Sequence, residues 1–85
     1  MTKNQMMALE PGDIVVEKES GDEFRFLRRV EVATLVFTDT GHDLVNPRLE
    51  VVVEPIPGRK YERSWGYQSQ LYFRHIRLTL KEKCA

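Results

Sequence analysis

FRFLRRVEVATLVF, residues 24 to 37, decides the fold, because its apolar residues satisfy two periodicities at once. Spacings of three and four would lay them along one side of a helix, whereas alternation would spread them over a strand. The residue types separate the two readings. β-Branched and aromatic side chains lose rotamer freedom against the preceding turn of a helix but pack well on a pleated surface, and they dominate this stretch. It is therefore read as strand. Phe24 and Phe26 share one side; farther on, Val30, Val32 and Val36 share a parity while Leu35 and Phe37 take the other. That change predicts a bulge or bend near Glu31 to Ala33.

Working toward the N-terminus, Ser20-Gly21-Asp22 supplies residues that accept positive φ, so the strand at Phe24 is expected to pair with Ile14-Val15-Val16 as a hairpin. In that first strand Ile14 and Val16 share a face and Glu17 takes the other. Pro11-Gly12 is a turn signal that opens the ordered chain. Residues 1 to 9 carry no periodicity and are expected to form a flexible tail.

Toward the C-terminus, Asp39-Thr40-Gly41-His42-Asp43 reads as a turn, Leu44-Val45 as a short bridging piece and Asn46-Pro47 as a further break. Leu49, Val51 and Val53 then alternate with Glu50, Val52 and Glu54, as a half-buried strand does. Pro55 and Pro57 end it. The stretch from Pro55 to Gln68 lacks apolar alternation and is long beside the ~4–6 residues of a usual connection, which marks it as a functional or mobile loop. Ser69 is placed to cap a single turn through Leu71-Tyr72-Phe73, and Ile76, Leu78 and Leu80 alternate in a last strand. The expectation is an all-β chain: a small single-domain barrel or roll of four to six short strands over residues 10–81, with one helical turn before the last strand and a frayed C-terminus over 82–85.

The opening Pro11-Gly12-Asp13-Ile14-Val15 and the closing Leu71 to Leu80 resemble the small barrels of the Src-homology, KOW and Tudor type. The first is similar to their Pro-Gly-Asp-x-Val opening, the second to their helical turn and final strand. The chain departs from the KOW pattern at Glu17-Lys18-Glu19, where that motif has glycine followed by a basic, apolar continuation.

Eighty-five residues make one domain, and a chain this short buries only a little over ~60% of its unfolded surface. No apolar run approaches the ~18 residues of a membrane span, and MTKNQMMALE has no signal-peptide pattern, so cytoplasmic residence is expected. Cys84 stands alone, which excludes an internal disulfide. The formal net charge is zero, yet the charge is divided along the chain. Acids exceed bases eleven to six through Pro57, and bases exceed acids seven to two from Gly58 onward. Such a basic segment can steer an anionic partner, unless folding sets it beside the acidic half and cancels the field.

The residue inventory argues against an enzyme. Two histidines and one cysteine without paired spacing offer no zinc site, and no nucleophile motif occurs. Glu50 and Glu54 lie roughly 13 Å apart at ~3.3 Å per residue, too far for a glycosidase pair. Gly58-Arg59-Lys60 lacks the remaining residues of a phosphate loop. No metal or cofactor is expected.

The candidate binding residues lie in GRKYERSWGYQSQLYFRH, residues 58–75. Arg59, Lys60 and Arg63 supply cations for phosphates, and Tyr61, Trp65 and Tyr67 supply flat faces for stacking, with Arg74 and His75 beside them. That combination suits RNA or single-stranded DNA. Tyr, Trp and Arg also dominate protein-binding hot spots. A barrel lid made by Trp65 or Tyr67 is the structural alternative. Two functions therefore stand: a non-enzymatic nucleic-acid-binding or nucleoprotein-associated module, and a small adaptor or inhibitor of phage or mobile-element type acting on a host protein. An uncovered edge strand would also allow a homodimer.

Overall fold

A computed structural model describes residues 1–59 and 69–84. Its elements are a short helix α1 (Lys3–Met7), strands β1 (Ile14–Glu17), β2 (Glu23–Thr38), β3 (Gly41–Pro55) and β4 (Leu71–Phe73), a 3-10 turn (His75–Arg77) and strand β5 (Leu78–Glu82). The strands form one antiparallel sheet in the order β4-β3-β2-β1-β5. The chain is thus mostly β with little helix, and the sheet is not closed.

The residues that decide the fold are strand, and they belong to a longer one than their pattern suggests. β2 runs unbroken from Glu23 to Thr38, and β3 unbroken from Gly41 to Pro55. Asn46-Pro47, expected as a break, is instead an irregularity inside β3. Pairing moves from Val32↔Arg48 to Thr34↔Val45, which leaves one extra residue on β3, and Asn46 there has φ 53. The irregularity falls opposite Ala33, but its extra residue is on β3, so β2 keeps one alternation through this point and the change of face expected near Glu31 to Ala33 does not occur there. A second shift, between Phe26 and Arg28, places an extra residue on β2.

One face of the sheet carries the core. Phe24 and Phe26 join Val15, Val51, Val53, Leu71, Phe73 and Leu78, with the Phe24 and Phe73 rings 5.4 Å apart. The face assignment of β1 follows from its partner: Val15 lies opposite Phe24, and directly opposed residues project to the same side. Val15 and Glu17 therefore point inward, while Ile14 and Val16 are only half-buried. Val52, expected on the solvent face, is also buried.

Both termini differ from expectation. Residues 1–9 are not outside the core: Met6 and Leu9 are buried within it. Thr2 and Gln5 form a reciprocal capping box at the start of α1, which satisfies two N–H groups that a short helix would otherwise leave exposed. At the other end of α1 the Arg29 guanidinium donates to the Met6 and Leu9 carbonyls at 3.1 Å and lies 5.4 Å from the Phe26 ring. The helix is thereby tied to β2. At the C-terminus, Glu82 belongs to β5. Lys83 Nζ donates to Asp13 at 2.7 Å and the Cys84 N–H to the same carboxylate at 2.6 Å. Gly12 makes this approach possible, because at φ 98 a Cβ there would meet Cys84 Sγ at 3.0 Å.

The region before the last strand is also rearranged. Leu71–Phe73, expected as a helical turn, is strand β4, held by pairing with Val51–Val53. The turn falls four residues later, at His75–Arg77, and leaves Ile76 exposed.

Candidate functional site

The acidic and basic halves of the chain meet along β1, β2 and β5. Arg77 pairs with Glu17 at 3.1 Å, Lys81 with Glu23 at 2.6 Å and Lys83 with Asp13 at 2.7 Å. Glu17 is fully buried, and its carboxylate also accepts from the Ser20 N–H and hydroxyl at 2.6 and 2.7 Å. Burial pushes its pKa up, but the Ser20 donors and the Arg77 guanidinium outweigh burial and lower it to about 2. Asp13 follows the same logic. Burial raises its pKa, while Lys83 and the N–H groups of Cys84 and Glu10 lower it further. Both carboxylates hold turns and chain ends in place. Their acceptor sites are occupied by these donors, so they are structural anchors.

Arg59, the first candidate of the basic-aromatic segment, is drawn into the same network. Its guanidinium lies 3.4 Å from Glu23 and 3.2 Å from Glu82. Lys60, Tyr61, Arg63, Trp65 and Tyr67 lie outside the described residues. Arg74 and His75 fall at the 3-10 turn rather than on the face of the last strand, and they are the described candidates that share a cavity.

That cavity is a groove of about 550 Å³ between α1, the turn and the middle of the β2–β3 hairpin. Met7, Pro47 and Leu49 give it apolar walls, and Lys3 and Arg74 give it a basic rim beside His75. Arg48 and Glu31 also line it, and Arg48 pairs with Glu50 at 3.2 Å. Burial lowers the pKa of His75, and the N-terminal ammonium, Lys3 and Arg74 lower it further. The imidazole is therefore held toward its neutral form.

The second feature is the hairpin itself. The chain from Gly12 to Val16 covers β2 only at residues 23–26, and β4 covers β3 only at 51–53. Beyond those positions, among the described residues, the two strands pair with each other alone and project as an arm. Its effect on shape is large: the radius of gyration is 14.7 Å, where a compact domain of this length would show about 12 Å. The longest extent is 50 Å.

The arm carries apolar side chains into solvent. Phe37 is 79% exposed and Leu44 69%, with Leu35 at 48%. Leu35 lies opposite Leu44, and Phe37 opposite His42, whose ring it meets edge-on at 6.5 Å. By strand alternation all four share one face, the face that continues along β2 through Glu31 to Arg29 and so to α1 and the groove. Val36 and Val45 lie on the other side, opposite Asp43 and Thr34.

Leu35, Phe37 and Leu44 were not singled out by the sequence reading, and neither was Lys3. The shared parity of Leu35 and Phe37 was visible, and Leu44 was read as part of a short bridging piece, but parity alone does not say whether a face is covered.

Among the described residues, no group of three or more His, Cys, Asp or Glu is placed to hold a metal ion, and no helix is long and apolar enough to cross a membrane. Comparison of the chain with family models, with curated proteins and with solved structures gives no match.

Proposed function

We propose that the protein is a non-enzymatic binding module that engages a partner protein through the β2–β3 arm. The observation that carries this reading is the exposure of Phe37 and Leu44 on one face of a hairpin projecting beyond the core. An isolated two-stranded hairpin is marginal in water, and large apolar side chains clustered on a protruding element are typical of protein contact surfaces. The core half, a small roll opening on Pro11-Gly12-Asp13, serves as the platform that orients the arm.

RNA or single-stranded DNA is the second reading. It is supported by the basic rim of Lys3 and Arg74 at the groove, and weakened by the pairing of Arg59 with Glu23 and Glu82. Photocrosslinking separates the two. A benzophenone side chain at position 37 or 44 should give a protein adduct that protease removes and nuclease does not, whereas one at Glu19 should give none. If positions 37 and 44 yield no adduct, or a nuclease-sensitive one, the arm reading is wrong. In the latter case short single strands should bind at low salt, with log affinity falling by about 0.7 per neutralised phosphate for each decade of salt.

A further inference from the structure

We propose that two copies of this chain pair through their arms, each laying its apolar face along the other in opposite direction, with its tip in the second copy's groove. This rests on the reading of the arm as a protein-binding element and names its partner.

Three observations point to a second copy. The first is placement on a common face. Leu35, Phe37 and Leu44 lie on the side of the hairpin that leads back to the groove, so one continuous surface contains both a projecting apolar tip and a recess with Met7 and Leu49 in its walls.

The second is length. From the Glu31↔Leu49 pair at the groove to the Thr38↔Gly41 pair at the tip is seven residues, or about 24 Å at ~3.4 Å per residue. Two arms set antiparallel with that overlap bring each tip to the other's groove simultaneously. The contact is then isologous and closes at two copies, where a one-way insertion of tip into groove would propagate as a filament.

The third is charge. The turn at the tip contains Asp39, with Asp43 close to it on the outer side of the hairpin, and the groove that the tip would enter carries Lys3 and Arg74. Glu31, on β2, is the carboxylate in the lining. The acidic tip and basic rim make the alignment of opposite ends favourable and the alignment of like ends unfavourable.

Reversing charges tests the arrangement directly. One variant carries Asp39→Lys and Asp43→Lys, so that its tip and groove are both basic. The other carries Lys3→Glu and Arg74→Glu, so that both are acidic. Sedimentation equilibrium of the unmodified chain should show a monomer–dimer equilibrium. Each variant alone should self-associate at least about tenfold more weakly, the effect of one unfavourable charge contact. An equimolar mixture should recover a heterodimer, because both of its tip-and-groove contacts are complementary. Circular dichroism and thermal melting of each variant confirm that the fold persists. As a variant outside the charge pairs, Phe37→Ser should abolish the dimer. The proposal is overturned if the unmodified chain is monomeric up to millimolar concentration, or if its dimer ignores both charge reversals and Phe37→Ser. A monomer that still crosslinks another protein through position 37 overturns only this pairing. A monomer without adducts overturns the arm reading as well.

Discussion

The first and second halves of β2 are built from the same kinds of residue and meet opposite surroundings. From Glu23 to Val30 the strand is tied to α1 through Arg29 and, over residues 23–26, lies between β3 and the chain leading into and through β1, and Phe24 and Phe26 are sealed from water. From Thr34 to Thr38 it pairs with β3 alone, and Leu35 and Phe37 stand in solvent. Secondary structure is a local decision, made by side-chain shape and period. Burial is a tertiary one, made by whether another element arrives. α1, β1, β4 and β5 all gather at one end of the long hairpin, and nothing in the described chain remains to cover the other.

The contrast predicts a wide gap between equivalent substitutions in the two halves. Phe26→Ala should destabilise the protein by about 3–5 kcal/mol, as loss of a large core aromatic does. Phe37→Ala should change stability by no more than ~0.5 kcal/mol, as surface replacements do. Urea unfolding of both variants measures the gap under conditions where the chain is monomeric. Equal costs would mean that the arm is folded against something in the monomer.

The next effect concerns what covers the core half. Met6 is buried against it from a five-residue helix, so Met6→Ala should cost about 2–4 kcal/mol. Met7, the exposed neighbour on the same helix, should tolerate the same change. A negligible loss at Met6 would make α1 an ornament of the fold, and residues 1–9 a tail after all.

How much of this was legible follows from the same division between local and tertiary decisions. The strand character of residues 24–37 and the Ser20-Gly21-Asp22 hairpin could be read because each depends on neighbouring residues, whereas the change of face expected near Ala33 falls instead at Leu27, where β2 carries its own extra residue. The helix at the N-terminus was also legible in principle. Thr2 and Gln5 stand at capping-box spacing, but five residues are too few for a hydrophobic period to show. Asn46-Pro47 was misread because a proline within a strand usually marks its end, and only the pairing with β2 reveals a bulge. The inward turn of Glu17 had no local signal. A carboxylate reads as solvent-facing until Ser20 and, from sixty residues away, Arg77 are seen to satisfy it. Of the candidate site, Arg74 and His75 come together with Lys3, a residue from the opposite end of the chain, and no spacing along the sequence could have announced that.

Glu17 gives the comparison a pH dependence confined to the core half. Its folded pKa, about 2, lies below its ordinary value of 4.5. The unfolded chain therefore binds the proton first as pH falls. The stabilisation is complete above pH ~4.5 and is lost progressively as the pH drops toward 2. Glu17→Gln should lower stability at neutral pH by about 2–3 kcal/mol and flatten the acid limb of the stability profile. Denaturation midpoints from pH 2 to 7 give both readouts. A Gln variant with an unchanged acid limb would assign that limb to other groups, such as Asp13.

The smallest effect is expected at the bulge within the arm. Asn46 is exposed and holds φ 53, a conformation in which a Cβ-bearing residue without a compensating short polar side chain is strained by about 1–2 kcal/mol. Asn46→Gly should be nearly neutral and Asn46→Ala should cost about 1 kcal/mol. That cost should be local. Because the arm pairs with no third strand among the described residues, its amides can open without unfolding the core, and openings of this kind are read by hydrogen exchange. In the monomer, Asn46→Ala should speed exchange at the ladder positions between Thr34 and Val45 and leave those of Phe24, Val51 and Val53 unchanged. If the core amides accelerate to the same degree, arm and core unfold as one unit, and the division drawn along β2 is one of exposure without being one of cooperativity. Repeating the measurement at concentrations that favour the proposed dimer should slow exchange in the arm and cancel part of the effect, since each arm then has a second one lying along it.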